Sequence, residues 1–476
     1  VEQAGPGVAE NVGTAVAVDL MSSHDGALTS RHGGSILLPV SAGPGSESRV
    51  DGEPIITVRR AGDLSGRVMV PGAKNSVLKL MAACLLADGT SEISNVPRIA
   101  DVSIMSELLE AIGLRLESPE TGVLRVTNPG DLTPVAPYEL VERIRASINV
   151  LGPLLTRCGH VRLSLPGGDD FGARPIDMHI AGLEAMGAEF KVSHGYLEAR
   201  ADRLHGAEVV FDFPSVGATE NILTAAVFAD GVTRIDNAAR EPEVVDLCRF
   251  LVAMGADIEG VGTATLTVRG VERGSLRPAT HRTVPDRVQA ATYIAAVAVA
   301  GGELEMVDAH ANHMDMLLAR CRDMGVDLEP FTTDGVEGLR VSCSQRLRAT
   351  DVQTLPYPGI ATDYKPLIIT MLSVADGVAI VTENLYPGRF RYVEELIRLG
   401  ADIRTDGHHA VVRGQPRLSG APVRAHDIRA GAAMVVAGLA AEGTTTISGV
   451  RHIDRGYDDL VGRLAAVGAD ITRVED

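Results

Sequence analysis

One ten-residue phrase returns six times along the chain, and nothing else in the sequence limits the possible folds so strongly. It reads LLEAIGLRLE, LEAMGAEFKV, LVAMGADIEG, CRDMGVDLEP, LIRLGADIRT and LAAVGADITR, around Gly113, Gly187, Gly255, Gly325, Gly400 and Gly468. The period is about 70 residues, which marks a repeat architecture. Before each glycine, Leu, Met or Ile recurs at helical spacing. The glycine itself stands where a helix ends in the left-handed conformation that glycine adopts most readily. The alternation beyond it predicts a strand.

A second phrase repeats in phase with the first. GAKNSVLKLMAACLLADGTSEISNV, RASINVLGPLLTRCGHVRLSL, GATENILTAAVFADGVTRIDNA, PDRVQAATYIAAVAVAGGELEMV, TDYKPLIITMLSVADGVAIVTEN and IRAGAAMVVAGLAAEGTTTISGV share one plan. A polar start opens an apolar helix, followed by a short turn and a β-rich run. A helix apolar on every face must be buried on every face. Six such helices beside six amphipathic ones predict an α/β fold with helices inside and sheets outside. Six units divide naturally into two domains of three.

Composition excludes several alternatives. Apolar residues make up 45% of the 476, enough for large cores, while aromatics are only 3% and Trp is absent. The helices must therefore pack through small and aliphatic side chains. A formal net charge of -18 gives no basic surplus to neutralise a nucleic-acid backbone, though a small anion needs only a few local cations. Cys84, Cys158, Cys248, Cys321 and Cys343 are scattered without a CxxC pair, which argues against a zinc site or disulfide framework and suits a reducing compartment. No apolar run reaches the roughly 18 to 20 residues of a membrane span, and no secretory signal is evident. The expected location is cytoplasmic. Residues 1 to 54, rich in Gly, Ser and Pro with little periodicity, read as a disordered extension.

The starts of the apolar helices are where chemistry is expected. A helix N-terminus offers free N–H groups and a positive dipole end to an anion. Lys74, Arg145, Arg287 and Arg429 stand at such starts, and Arg174 in GARP adds another cation. Together they predict a cleft between two domains holding a multiply charged anion, such as a phosphate plus a carboxylate. Ser215, Val216 and Gly217 offer further donors ahead of a helix, and Asp363 in ATDYKP reads first as a helix cap. No HExxH, GxSxG or Walker-type loop is present.

Several longer motifs carry a family resemblance from about residue 56 onward. VPGAKNSVLKLMAACLLADG, IRASINVLGPLL, LPGGDDFGARPIDMH, FPSVGATENI, NAAREPEVVDL, PDRVQAATY, TDGHHAVVRG and HIDRGYDDL resemble the UDP-N-acetylglucosamine 1-carboxyvinyltransferase family of enolpyruvyl transferases. The resemblance implies a two-domain inside-out α/β barrel of six units, with residues 74–283 as one domain and 55–73 plus 284–476 as the other. It implies transfer of the enolpyruvyl group of phosphoenolpyruvate to a uridine nucleotide by addition and elimination of phosphate, with no metal or organic cofactor. By similarity, Lys74, Arg174 and Arg429 would hold phosphoenolpyruvate, assisted by Arg145. Asn75, Pro175, Ile176, Asp177, Ser215, Val216 and Gly217 would line the nucleotide site. Asp363 would be the base near the acceptor hydroxyl, and Leu385 would contact the sugar.

One position bears on the acid. Asp169 falls where many family members carry a cysteine that serves as general acid. An aspartate could protonate C3 of phosphoenolpyruvate only if held neutral, and neighbouring Asp170 with an anionic substrate would favour that, while Arg174 would oppose it. Other departures surround the acceptor: Ile360, Ala361, Tyr364 and Lys365 in GIATDYKP, Pro387 and Gly388 in ENLYPGRF, and Phe213 near the expected diphosphate. Lys365 is therefore expected to influence acceptor preference. The main expectation is transfer to the 3-hydroxyl of UDP-N-acetylglucosamine. The alternatives are transfer to a smaller nucleotide such as UMP in nucleoside-antibiotic synthesis, and a binding protein that lost catalysis. The related shikimate-pathway synthase lacks the GARPID and SVGATEN nucleotide motifs.

Overall fold

The six repeated glycines all lie at positive φ, between 89° and 120°, and each follows a helix that it terminates. The computed structural model describes residues 53–168 and 174–475, all within one compact body. The helices ending at these glycines are Ala100–Ile112, Asp177–Ala185, Pro242–Met254, Asp315–Met324, Val393–Arg398 and Leu460–Ala466. The last two are short, so the repeat is less even in structure than in sequence.

The other helical set is buried. In Arg287–Ala300 and Ile428–Ala440, twelve residues each are buried, most of them Ala, Val or Gly. Together with Lys365–Val374 they pack on one another as a three-helix centre. Lys74–Ala83, Leu151–Cys158 and Val216–Ala226 form the corresponding inner set of the other half. The second inner helix departs from the expectation of one continuous element, because a 3-10 stretch, Arg145–Val150, precedes it. Asn221 Oδ1 accepts from the Gly152 amide there, at 2.9 Å. A Cβ on Gly152 would lie 2.4 Å from the Asn221 carbonyl oxygen, so glycine permits this close helix approach.

Sheets cover these helices. Five have four strands in the same order: a parallel edge strand, the strand after an inner helix, its antiparallel partner, and the strand after a cap glycine. Thr280–Arg282, Gly89–Ser94, Val123–Asn128 and Arg115–Glu117 form one; Leu64–Met69, Gly302–Val307, Val336–Cys343 and Asp327–Thr333 form another. The sixth has three strands plus an isolated bridge between Val135 and Arg162 in the parallel position. Burial alternates along the strands, as in His409–Arg413, so each sheet turns one face inward. Helices inside and sheets outside are the expected arrangement.

Ile55–Arg59 sits centrally in its sheet, between Thr444–Ser448 and Ile471–Val474. The apolar core forms two clusters, one spanning Val77 to Leu276, the other joining Ile56–Val70 to Val288–Ile471. The chain crosses between them twice, and the crossings lie side by side: the Ala73 amide donates to Val284 O at 2.7 Å, and that of Asp286 to Pro71 O at 2.8 Å. Gly72 is required here, since a Cβ would come within 1.8 Å of the Asn95 carbonyl oxygen. We propose that the two clusters are the cores of separate domains, with the chain passing from one to the other at these crossings.

Residues 1–52 of the expected extension lie outside the described residues, as do Asp169 and Asp170. Glu53, also assigned to the extension from sequence, instead pairs with Arg451 at 3.5 Å. Deleting residues 1–52 should leave melting temperature and turnover unchanged, because every pairing of Ile55–Arg59 is retained. A fall of several degrees would show that the extension contributes. Deletion through Arg59 should abolish folding, since it removes a central strand with Ile56 and Val58 in the core.

Candidate active site

Inner helices of both halves begin at one charged region between the two cores. Two of them are capped by carboxylates: Asp286 accepts from the Val288 and Gln289 amides, and Asp427 from those of Arg429 and Ala430. These caps hold Arg287 and Arg429 in the first turn of their helices.

Asp363 is not a cap, contrary to the sequence reading. It lies in a 3-10 turn, Thr362–Tyr364, and its two oxygens are taken by arginines. Arg389 Nη1 donates to Oδ1 at 2.8 Å and Arg429 Nε to Oδ2 at 3.2 Å. Burial works against the Asp363 charge, but Arg389, Arg429 and Lys74 outweigh it and hold the carboxyl well below its usual range. Arg429, opposed by burial, is kept firmly cationic by Tyr457, Asp363 and Asp286. Lys74 comes from the other core and binds Asp101 at 2.9 Å. Arg455 reaches the same carboxylate at 2.8 Å, and burial of Asp101 is outweighed by these two cations.

Arg287 does not join this group as a substrate-facing cation. Its guanidinium donates to Glu243 at 2.9 and 3.3 Å and to the Tyr364 hydroxyl at 3.2 Å, all three side chains being buried. It ties one core to the other, so its charge is already spoken for. Lys365 also departs from expectation. It is wholly buried and bonded to Glu383 at 2.8 Å, and cannot meet an acceptor directly.

Arg145 and Arg174 form a second cationic patch. Arg145 donates to the backbone carbonyls of Pro166, Arg174 and Pro175. Burial first, then the like charge of Arg174, lowers its pKa to about 10, while Tyr386 from the other half opposes that shift. It remains a cation at neutral pH, and a bound dianion would relieve the repulsion between the two guanidinium groups.

Two of the predicted nucleotide segments meet, since Asp177–Ala185 packs against Val216–Ala226 over a buried polar contact. Ser215 caps Val216–Ala226 by accepting from the Ala218 amide at 3.3 Å. Gly217 lies against His179, whose ring a Cβ would approach within 3.1 Å. Burial, then Arg145, pushes His179 down to about 3, so its imidazole is neutral. Asn221 Nδ2 donates to its Nδ1 at 3.0 Å, which puts the ring proton on Nε2. Pro175 and Asp177 are exposed and Ile176 half-buried, while half-buried Leu385 lies beyond Val378–Thr382, in the half opposite Asn75. Phe213 is exposed.

Lys79 reaches back from the first inner helix to the carbonyl of Asn75 and lies 3.5 Å from Glu220. Burial pushes Glu220 up to about 7, against the pull of Lys79 and Asn149. The folded pKa exceeds the unfolded one, so this carboxyl contributes stability fully below pH 4.5, lost as pH rises toward about 7. Thermal melts of the parent should therefore fall across that interval relative to Glu220→Gln. Parallel curves would show that Glu220 is ionised throughout.

Sequence reading missed Asp101, Arg389, Arg455, Glu220 and Glu243. Arg389 and Arg455 lay inside quoted motifs, ENLYPGRF and HIDRGYDDL, but neither motif shows which carboxylate its arginine meets. Among the described residues no His, Cys, Asp and Glu cluster fits a metal ion, and no helix is long and apolar enough to cross a membrane. All five cysteines are free thiols, and burial pushes Cys84, Cys248 and Cys321 up to about 12.

Comparison with known proteins agrees with this architecture. The family described as EPSP synthase (3-phosphoshikimate 1-carboxyvinyltransferase) matches residues 58–464. Proteins named UDP-N-acetylglucosamine 1-carboxyvinyltransferase are 49% identical in Corynebacterium jeikeium, over 87% of this chain and 97% of theirs, and 52% in Mycobacterium tuberculosis, over 86% and 97%. Among solved structures, the enolpyruvyl transferase NikO from Streptomyces tendae superposes with a TM-score of 0.80 at 26% identity, covering 89% of this chain and all of NikO. An EPSP synthase from Acinetobacter baumannii shares the fold with a TM-score of 0.71 at 18% identity, with coverage of 89% and 100%. The chain belongs to the EPSP synthase family of carboxyvinyltransferases, in the branch of the UDP-N-acetylglucosamine 1-carboxyvinyltransferases.

Proposed function

We propose that this chain transfers the enolpyruvyl group of phosphoenolpyruvate to the 3-hydroxyl of UDP-N-acetylglucosamine, in the cytoplasm, as a step toward peptidoglycan precursors. The observation that carries the reading is the convergence of Lys74 from one core with Asp363 and Arg429 from the other, where inner helices begin. The relatives' names supply the acceptor.

In this reading the acceptor oxygen bonds to C2 of phosphoenolpyruvate while C3 takes a proton. The tetrahedral adduct then loses a C3 proton and expels phosphate, restoring the double bond. Lys74, Arg174 and Arg429, with Arg145, neutralise the phosphate and carboxylate and orient the substrate. Asp363 accepts the hydroxyl proton, and Asp169, outside the described residues, supplies the proton to C3. With both arginines in place Asp363 is a weak base. An anion that draws Arg429 away would raise its basicity at the moment the hydroxyl is attacking. The chain's own residues carry every step, so no metal or organic cofactor enters the scheme.

A second reading is transfer to UMP or a similar small nucleotide, because the chain departs from the family pattern at exposed Pro387 and Gly388, in the loop that carries Leu385. Phosphate release from phosphoenolpyruvate, measured with UDP-N-acetylglucosamine and UMP in parallel, tests both. Turnover with the sugar nucleotide exceeding that with UMP supports the first reading, and release with UMP alone replaces it by the second. No release with either overturns both readings.

A further inference from the structure

Outside the substrate cluster, Lys365 and Glu383 form a buried ion pair that grips a loop from both ends. Both side chains have no solvent exposure. A buried ammonium is costly unless each of its three donors is met. Here Lys365 Nζ lies 2.8 Å from Glu383 Oε2, donates to the Arg389 carbonyl at 2.6 Å, and sits 3.8 Å from the centroid of the Phe390 ring. Burial still lowers its pKa to about 8, with Glu383 opposing the shift.

Glu383 is equally committed. Its Oε1 accepts from Thr354 Oγ1 at 2.7 Å and from the backbone amides of Leu385 and Tyr386 at 2.8 and 3.0 Å. Its Oε2 accepts from Thr362 Oγ1 at 2.8 Å. The pair thus holds the start of the 384–388 loop through Glu383 and its end through Lys365. Thr362 extends the network, since its hydroxyl also accepts from Arg389 Nη1, the nitrogen that binds Asp363. A chain of contacts runs from Lys365 through Glu383, Thr362 and Arg389 to Asp363.

We propose that Lys365 and Glu383 are positioning residues for the acceptor: by clamping both ends of the 384–388 loop they set the place of Leu385 and the orientation of Arg389 beside Asp363. The inference rests on the functional reading above, in which Leu385 faces the acceptor sugar. Lys365 then acts on acceptor choice from behind the loop, without touching the nucleotide. Phosphoenolpyruvate, held by Lys74, Arg174 and Arg429, should be affected far less.

The test compares Lys365→Gln with the neutral double variant Lys365→Gln/Glu383→Gln, using whichever nucleotide the parent turns over. Melting midpoints are recorded beside KM for each substrate. Lys365→Gln strands a buried carboxylate, so its midpoint should fall, and its acceptor KM should rise about tenfold or more while that for phosphoenolpyruvate stays within about threefold. The double variant leaves no buried charge unpaired. Its midpoint should recover, but with the ammonium still missing from the Arg389 carbonyl, its acceptor KM should remain raised by about fivefold or more. If the single variant does not fold, the double variant decides alone. Recovery of acceptor KM along with the midpoint, or equal rises in both KM values, would reduce the pair to a structural element and overturn the proposal. No phosphate release by the parent with any uridine nucleotide removes the functional reading and this inference together; an active parent with an unaltered acceptor KM in the double variant removes the inference alone.

Discussion

Asp363→Asn should lower turnover by about 10²- to 10⁴-fold, the usual worth of a positioned acid or base. An amide of nearly the same shape can still accept a hydrogen bond from Arg389 or Arg429, but it cannot take the hydroxyl proton. Its second effect has the opposite sense for binding. Removing a carboxylate shared by two buried guanidinium groups leaves the region more positive, so KM for phosphoenolpyruvate should stay constant or fall. The free protein should lose stability by about 3 to 5 kcal/mol, as when one partner of a buried ion pair is removed. Saturating phosphoenolpyruvate should restore part of that loss, because the ligand supplies the missing negative charge. Steady-state kinetics with both substrates, beside melts with and without phosphoenolpyruvate, test each component. Turnover within tenfold of the parent would remove Asp363 as the base and leave it an anchor for Arg389 and Arg429.

The second large effect is expected at Asp169, in the GGDD stretch outside the described residues. In the addition step a proton must reach C3, and an asparagine has none of suitable acidity to give. Asp169→Asn should therefore lose most turnover under saturating substrates, and Asp170→Asn should be milder. Asp169→Cys places the family's more frequent residue there and should retain part of the activity. It should also gain time-dependent inactivation by the epoxide fosfomycin, to which the parent should be insensitive. A thiolate is a far better nucleophile toward an epoxide than a carboxylate, and a protonated carboxyl is poorer still. Near-normal turnover by Asp169→Asn would take Asp169 out of the mechanism. Inactivation of the parent at the rate of the cysteine variant would show that the carboxylate itself is reactive.

The sequence already contained the repeat, the identity of the inner helices and the six cap glycines, because each is a property of a short segment. A glycine after an amphipathic run needs a positive φ wherever that run is placed. A helix of Ala, Val and Ile must be enclosed, whatever encloses it. The cations at the inner helix starts were legible for the same reason, Lys74, Arg145 and Arg429 among them. The family motifs extended this to chemistry, though Asp363 read locally as a cap.

Partner choice among the charges was decided only in three dimensions. Arg287 and Arg429 follow the same pattern of a capping aspartate before an apolar helix, yet one ties the two cores through Glu243 and the other meets Asp363. Arg455 and Asp101 pair across 354 positions of sequence, and no local pattern foretells that contact. Lys365 illustrates the same limit: the residues around it suggested a side chain facing the acceptor, whereas the fold buries it against Glu383 and behind the loop. Helix periodicity and capping depend on neighbours a few residues away, so the chain's order alone determines them. The strength of a charge depends on burial and on which opposite charge lies within a few ångströms, and only the packing of distant segments sets either.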